Sequence, residues 1–223
     1  MKQVKSKQLP KGFLFDFDGV VVNSFASHRA AWSSAFKELF QTELPAFPKE
    51  LAGGSPHKIA TYYAGTVGKT TQSNALYLLK DEHLDKFFQV PELLPGIREI
   101  TAFLKENNLP YGIASNATRQ FLKNSIHHLN IDFKTYFGVQ DYKKPKPAPE
   151  AYITLANELG FEAIDFKNIW VFEDSLAGTT AAKLAGMIPI GILTQYSESE
   201  LRDAGSQFVF PTVLEAFDYL KKL

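Results

Sequence analysis

Short, almost continuous apolar runs, separated by stretches with helical periodicity, are the feature of this sequence that most restricts its fold. The runs are GFLFDF (12–17), PYGIAS (110–115), NIWVFED (168–174) and IPIGIL (188–193), with YFGVQD (136–141) as a weaker candidate. Strands that are apolar throughout are typical of a parallel sheet that is buried on both faces. Helical patterns lie between them, at 96–108, 118–129, 149–160 and 175–186. The alternation predicts an α/β fold in which an open parallel sheet is covered by helices on both sides.

The spacing breaks once, because residues 24–92 contain no strand-like run. Helical periodicity appears there at 24–41, 55–65 and 73–88. We therefore predict a small all-helical cap domain over 24–92, inserted after the first strand into a core made of 1–23 and 93–223. Loops beyond the C-terminal ends of the strands build the ligand site in open α/β sheets, so an insert at this point can act as a lid.

Charge and cysteine content exclude several classes of function. The chain has 24 acidic and 24 basic side chains, so its bulk charge gives no reason to expect nucleic acid or an anionic membrane surface as a partner. It has no cysteine, which excludes disulfides and thiol chemistry and makes a reducing cytoplasm the expected location. We interpret residues 1–11 as a solvated tail rather than a signal peptide, because Asp16 and Asp18 interrupt the apolar segment that follows.

Two of the predicted strands end in paired acids. Asp16 lies in the first run and Asp18 directly follows it, and Glu173 and Asp174 end the run at 168–174. The first pair alone is equally compatible with one Asp capping a turn and the other in solvent. Two carboxylates ~4 Å apart repel by about 4 kcal/mol at an effective dielectric near 20, so four in one crevice need a cation. Oxygen ligands alone suit Mg²⁺, which we predict as the cofactor.

Two further segments carry groups that could bind an anion. Ser115 and Asn116 follow a strand, where a hydroxyl and backbone N–H groups can hold an anion or simply cap a helix. The segment KKPKPAPE (143–150) places lysines on a stiff, proline-rich loop. Such a lysine could reach an anion in the crevice, or it could be an ordinary solvated side chain.

Together these segments resemble a known family. DFDGV, the Ser115-Asn116 pair, KPKPAPE and VFEDSLAGTTAAKLAGM occur in the order of the four motifs of the haloacid dehalogenase superfamily, across about residues 12 to 193. In particular, the chain resembles the β-phosphoglucomutase-like phosphatases that carry a helical cap. The resemblance implies a Rossmann-like core and a Mg²⁺-dependent enzyme that acts on small phosphorylated metabolites.

The resemblance also implies roles for the acids. Asp16 would be the nucleophile that forms an aspartyl-phosphate, and Asp18 the general acid and base. Mg²⁺ would be held by Asp16, by the main-chain carbonyl of Asp18 and by Asp174, with Glu173 acting directly or through water. Asp18 favours phosphate esters or anhydrides over halides, because a halide leaves without protonation.

Phosphate and substrate contacts follow from the same resemblance. Ser115, Asn116 and Lys144 would bind the transferring phosphoryl group. In the cap, His28 and Ser55 correspond to substrate-contacting positions of β-phosphoglucomutase-like proteins. For His28, an ordinary packing role is equally compatible with the helical face on which it lies.

The function that we predict is a phosphohydrolase, with alternatives left open. These are a β-phosphoglucomutase-type sugar phosphate mutase, an inorganic pyrophosphatase of the same subfamily, and a phospho-accepting signalling module. Pro56 stands where sugar mutases carry an arginine for the second phosphate, which favours hydrolysis. The substrate, the oligomeric state and the effect of Asn23 near the cap hinge are left open by the sequence.

Overall fold

A computed structural model describes residues 9–223 of the 223-residue chain. The tail predicted for residues 1–11 therefore lies mostly outside the described residues. The strands are β1 (Gly12–Phe15), β2 (Val22–Asn23), β3 (Glu92–Leu93), β4 (Tyr111–Ala114), β5 (Tyr136–Phe137), β6 (Ile169–Glu173), β7 (Ile188–Ile192) and β8 (Phe208–Phe210). The α-helices are α1 (Phe25–Phe40), α2 (Pro56–Thr66), α3 (Ser73–Lys86), α4 (Ile97–Glu106), α5 (Arg119–Leu129), α6 (Glu150–Glu158), α7 (Leu176–Leu184), α8 (Glu198–Ala204) and α9 (Val213–Leu220).

A six-stranded parallel sheet forms the centre of the molecule, in the order β5-β4-β1-β6-β7-β8. Strand β1 lies between β4 and β6, and its Leu14 is in register with Gly112 on one side and Val171 on the other. Every residue of β1 and β6 is buried, as their continuous apolar character requires. The predicted α/β fold is confirmed.

The two faces of the sheet carry separate hydrophobic clusters. Phe13 and Phe15 of β1 belong to one cluster, with residues of α4, α5 and α9, and the Phe15 ring stacks on Phe172 at 4.7 Å. Leu14 points to the opposite face, where it joins residues of α6 and α7. This alternation along one strand anchors β1 from both sides, and it fixes where the chain leaves the sheet after Phe15.

Helices α1, α2 and α3 pack on one another above the C-terminal edge of the sheet. Their own cluster is built around Trp32, Phe36, Tyr63 and Leu76. A two-stranded antiparallel ribbon joins them to the sheet, because β2 pairs with β3. The sequence did not predict this ribbon, since each strand has only two residues. We propose it as the boundary of a cap domain over 24–92.

Other differences from the sequence prediction lie at the edges of the sheet. In the weak candidate at 136–141, only Tyr136–Phe137 is a strand, and Val139–Asp141 forms a 3₁₀ turn. The C-terminal elements α8, β8 and α9 were not predicted, because β8 is a three-residue, half-buried edge strand without a long apolar run. Within residues 9–223, none of the helices is both long and apolar enough to cross a bilayer.

Gly96 allows helix α4 to approach α9. Its φ is 93°, and a Cβ atom there would lie 2.2 Å from the backbone nitrogen of Leu214. Gly68 has a φ of 70° with no atom within 4 Å of its Cβ position, so it is a matched control for backbone strain alone.

We expect Gly96→Ala to lower the free energy of unfolding by at least about 3 kcal/mol, since strain and a backbone clash add. Gly68→Ala should cost about 1 kcal/mol, from the left-handed conformation alone. Urea denaturation of both variants measures the difference. Equal losses would show that α4 and α9 do not pack as closely as described.

Candidate active site

Three buried carboxylates meet at the C-terminal ends of β1 and β6. Asp16 follows β1, Glu173 ends β6, and Asp174 comes next. Because β1 and β6 are neighbours, the Asp16 backbone N–H donates to the Phe172 carbonyl at 2.9 Å, which brings the acids side by side. One oxygen from each carboxylate lies within 4.8 Å of the others. The predicted convergence of two acidic strand ends is therefore present.

The carboxylate of Asp174 has a free oxygen in this cluster. Its Oδ2 accepts a hydrogen bond from Gln195 Nε2 at 2.9 Å, whereas Oδ1 is buried without a hydrogen-bond partner among residues 9–223. Gly19 permits the close approach, because a Cβ atom on it would lie 1.9 Å from Asp174 Oδ2. Burial, together with the charges of Asp16 and Glu173, raises the pKa of Asp174 well above its usual value. An orphaned oxygen among acids fits a hard divalent cation.

A single buried lysine holds two of the acids. Lys146 Nζ donates to Asp16 Oδ1 at 2.8 Å and to Glu173 Oε1 at 2.7 Å. The hydroxyl of Tyr152 accepts from Lys146 Nζ at 2.7 Å and donates to Glu173 in turn. Burial opposes the charged form of Lys146, but Asp16 and Glu173 outweigh it and raise the pKa of the lysine. The ammonium group therefore stays charged and fixes one oxygen of Asp16.

The prediction that Lys144 lies at this site is wrong. The side chain of Lys144 is exposed, and Lys146 occupies the place expected for it. Asn116 positions Lys146 rather than Lys144, because Asn116 Oδ1 accepts a hydrogen bond from the backbone N–H of Lys146 at 3.1 Å. In KKPKPAPE both Lys144 and Lys146 precede a proline, so local sequence gives no criterion for choosing between them.

Asp18 lies in a different environment from Asp16. Its Oδ1 accepts a hydrogen bond from Ser24 Oγ and lies 3.2 Å from His28 Nε2, and its Oδ2 accepts from Ser115 Oγ at 3.4 Å. Burial raises the pKa of Asp18, but His28 and Ser24 outweigh burial and hold it below its usual value. For Asp16, burial dominates over Lys146, and its pKa rises to about 7. The two acids are thus tuned in opposite directions.

His28 and Ser24 both come from the start of the cap helices. The His28 ring packs on Phe121 at 5.0 Å as well as facing Asp18, so the structure combines the polar and packing arrangements that the sequence left open. Ser24 was missed as a site residue. It precedes α1 at the N-cap position, yet its hydroxyl does not cap the helix and bonds to Asp18 instead. A serine at a predicted helix start is normally explained by capping, so sequence reasoning had no signal for this contact.

Ser115 and Asn116 link the sheet edge to the cap. Ser115 Oγ accepts from the Ala117 backbone N–H at 3.0 Å, in addition to its contact with Asp18. Asn116 Nδ2 donates to the carbonyl of Gly53, in the cap, at 3.1 Å. Helix α5 is capped separately by Thr118, whose hydroxyl accepts from Phe121 N, so neither Ser115 nor Asn116 serves as that cap.

A cavity of about 500 Å³ separates the sheet edge from the cap. Asp16, Asp18 and Ser115 line one end, and His28 lies on the cap side. Ser55, predicted as a substrate residue, is buried and does not line the cavity, although its neighbours Gly54 and Pro56 do. It is the N-cap residue of helix α2, although its side chain makes no capping hydrogen bond.

Contacts between the cap and the core hold the two sides of this cavity together. Lys49 Nζ bonds to Glu200 at 2.9 Å, and Tyr196 donates its hydroxyl hydrogen to the Lys49 carbonyl at 2.5 Å. Gly53 lies against Ser175, because a Cβ atom on Gly53 would be 2.2 Å from Ser175 Cβ. The reacting end is therefore covered by the cap.

The two loop lysines give a direct test of the site. Lys146→Met should lower the free energy of unfolding by about 3–5 kcal/mol at pH 7, because it leaves buried acids without their cation. Lys144→Met should stay within about 0.5 kcal/mol, as an exposed substitution. Urea denaturation measures both, and a larger loss for Lys144→Met would contradict the assignment.

Comparisons with known proteins show to which family the chain belongs. Residues 10–186 match the family model described as haloacid dehalogenase-like hydrolase. Glycerol-1-phosphate phosphohydrolase 2 of Saccharomyces cerevisiae is 28% identical over 207 residues, which cover 88% of this chain and 80% of the relative. The β-phosphoglucomutase of Bacillus subtilis is 27% identical over 192 residues, covering 82% and 83%.

A solved structure extends the likeness to nearly the whole fold. The β-phosphoglucomutase of Clostridium difficile superimposes with a TM-score of 0.80, at 21% identity, over 96% of each chain. The motif resemblance is thereby confirmed, including its β-phosphoglucomutase-like relatives. The chain belongs to the haloacid dehalogenase-like hydrolase family.

Proposed function

We propose that this protein is a Mg²⁺-dependent phosphatase that hydrolyses the phosphate monoester of a small metabolite through an aspartyl-phosphate on Asp16. The observation that carries the proposal is the meeting of Asp16, Asp18 and Lys146 with a second acid pair, at one end of a cavity between the sheet edge and the cap. The relative named as a glycerol phosphate phosphohydrolase supports it.

A cysteine-free composition supports the cytoplasm as location, and the balanced charge gives no reason to propose a nucleic acid or membrane partner.

Asp16 acts as the nucleophile. Lys146 holds its Oδ1, so the carboxylate is oriented before substrate arrives. Its attack forms an oxygen–phosphorus bond as the bond from phosphorus to the leaving alcohol breaks. Ser115 Oγ, backbone N–H groups around Asn116 and Lys146 stabilise the negative charge on the transferring group.

Asp18 moves the proton in both steps. It gives a proton to the leaving alkoxide, and then takes one from the water that attacks the aspartyl-phosphate, which returns the Asp16 carboxylate and releases inorganic phosphate. His28 and Ser24 hold the Asp18 carboxyl group in place. The negative charge of a bound phosphate opposes their effect and raises the pKa of Asp18, which favours the protonated form needed first.

The residues that would hold Mg²⁺ are Asp16, Asp174 and the main-chain carbonyl of Asp18. When bound, the ion supplies positive charge that offsets repulsion between the carboxylate and the phosphate. Glu173 is already bonded through Oε1 to Lys146 and through Oε2 to Ser175 Oγ at 2.9 Å. We therefore propose that Glu173 acts through water or by orienting its neighbours.

The structure gives less support to a pyrophosphatase, a signalling module or a mutase. A volume of about 500 Å³ with several aromatic walls is larger and less polar than inorganic pyrophosphate needs. A signalling module needs a persistent phospho-aspartate, whereas Asp18 is placed to promote its hydrolysis. A mutase is favoured by the β-phosphoglucomutase relatives, but Pro56 lines the cavity where a second phosphate clamp would be expected.

The deciding experiment is a screen of phosphorylated metabolites with Mg²⁺, in which Asp16→Asn is the control. We expect phosphate release by the unaltered protein and a loss of at least about 10³-fold in Asp16→Asn, since the amide is a poor nucleophile. Equal release by both proteins would refute the assigned nucleophile. Omitting Mg²⁺ and adding EDTA should abolish release.

Product analysis with β-glucose 1-phosphate separates phosphatase from mutase. We expect glucose and inorganic phosphate, because no arginine stands at position 56 to hold a bisphosphate for reorientation. Accumulation of glucose 6-phosphate with little free phosphate, followed by ³¹P NMR, would establish the mutase instead.

A further inference from the structure

The charged groups around the cavity are almost all paired. His28 lies against Asp18 at 3.2 Å, and Lys146 holds Asp16 at 2.8 Å. Two cap lysines also have carboxylate partners. The first of these lysines, Lys49, bonds to Glu200. These pairs are internally neutralised, so they offer little net charge to a substrate's leaving group.

Lys80 is the more deeply buried of the two cap lysines. It is 3% exposed, its Nζ lies 3.0 Å from Asp81 Oδ1, and it lies over the Trp32 ring at 5.5 Å. Asp81 lines the cavity beside it. The ammonium group therefore has both a counter-ion and an aromatic face, which satisfies its charge without a ligand.

Arg29 is the exception among the charged residues that line the cavity. It follows His28 on α1 and is exposed, and its guanidinium group has no hydrogen bond or ion pair with any of residues 9–223. Trp32 lies one turn further along the same helix face, and its ring packs on Tyr63 at 5.7 Å. Burial raises the pKa of Tyr63, and the positive charge of Arg29 partly lowers it again. The guanidinium group of Arg29 therefore lies near the Tyr63 phenol.

The remaining wall near Arg29 is apolar and aromatic. Phe47, Ile59 and Tyr63 line it together with Trp32. A wall of this kind excludes water from the body of a bound metabolite, and it supplies few hydrogen bonds for a sugar's hydroxyl groups. An unpaired guanidinium group at its rim is a planar fork that matches a carboxylate or phosphate in two-point contact.

We propose that Arg29 forms a second, anion-binding subsite, so that the preferred substrates are phosphate monoesters that carry a further carboxylate or phosphate. The proposal rests on the proposed function for the identity of the first subsite. The motif resemblance gives Arg29 no role, because sugar mutases carry their second-phosphate arginine at the position of Pro56. Arg29 lies on α1 rather than at the start of α2, so it would bind the second anion at a different place in the cap from the arginine of the sugar mutases.

Matched phosphate esters test the subsite. Glycerol 3-phosphate and 3-phosphoglycerate differ by a hydroxymethyl group against a carboxylate, and fructose 6-phosphate and fructose 1,6-bisphosphate differ by a second phosphate. We expect the anionic member of at least one pair to have a kcat/KM about 10-fold higher, mainly through KM. The pair that shows the preference tells a carboxylate from a phosphate.

Arg29→Met should abolish that preference while leaving kcat/KM for the neutral member within about 3-fold. Arg29→Lys should restore part of it, because charge is kept and the two-point contact is lost. Arg202→Met is the matched control, since Arg202 is an exposed arginine on α8, paired with Glu198 and absent from the cavity lining. It should leave both substrates unaffected.

Binding measured separately from turnover keeps this test independent of the proposed function. Calorimetry of the same esters with Asp16→Asn protein, with and without Arg29→Met, reports affinity even if no ester is hydrolysed. A preference lost with Arg29 supports the subsite in either case. Equal affinity for neutral and anionic esters, or an equal effect of Arg29→Met on both, would overturn it.

Discussion

The ion pairs of Lys146 are the interaction on which the rest of the site depends. One buried ammonium group lies between Asp16 and Glu173, and it is the cation within residues 9–223 that makes direct contact with the acid cluster. Each carboxylate alone would be costly to bury, and three together would repel strongly. Lys146 offsets part of this repulsion, yet the pKa of Asp16 still rises to about 7, and that of Asp174 is raised well above its usual value. The protein thus leaves a deficit of positive charge at the point where a divalent cation would bind.

The fold determines where that deficit lies. Strands β1 and β6 are adjacent and end at the same level, so their terminal acids face one crevice. The cap helices start a few residues beyond β1, which allows Ser24 and His28 to reach Asp18 while the cap covers the cavity. The Oδ1 atom of Asp18 therefore has its partners in the cap and its Oδ2 atom contacts Ser115 of the core, whereas Asp16 is held by Lys146 of the core. Movement of the cap would change the contacts of Asp18 without changing those of Asp16.

Much of this arrangement could be predicted from the sequence. Continuous apolar runs identified the central strands, because residues buried on both faces leave no polar alternation. The acid pairs were located because strand ends in a parallel sheet share one edge. The prediction of Lys144 was wrong, since the lysine that reaches the acids depends on which backbone Asn116 anchors, a contact across thirty residues of chain.

Other features were beyond sequence reasoning for physical reasons. The ribbon of β2 and β3 has two residues per strand, too few for any periodicity. Ser24 has the residue type of a helix cap, and its actual partner is set by the turn after β1. Ser55 has a sequence position that suggests substrate contact, but it is buried at the N-cap of α2 and does not line the cavity.

We propose that the acids at the ends of β1 and β6 share one divalent cation. Crystals grown with Mn²⁺ in place of Mg²⁺ and measured at the manganese absorption edge would locate such an ion. A shared cation predicts one strong anomalous peak about 2 Å from carboxylate oxygens of both Asp16 and Asp174. It also predicts that the peak disappears in an Asp174→Asn variant of unchanged fold. A saturated crystal with no peak between these two side chains would contradict the account.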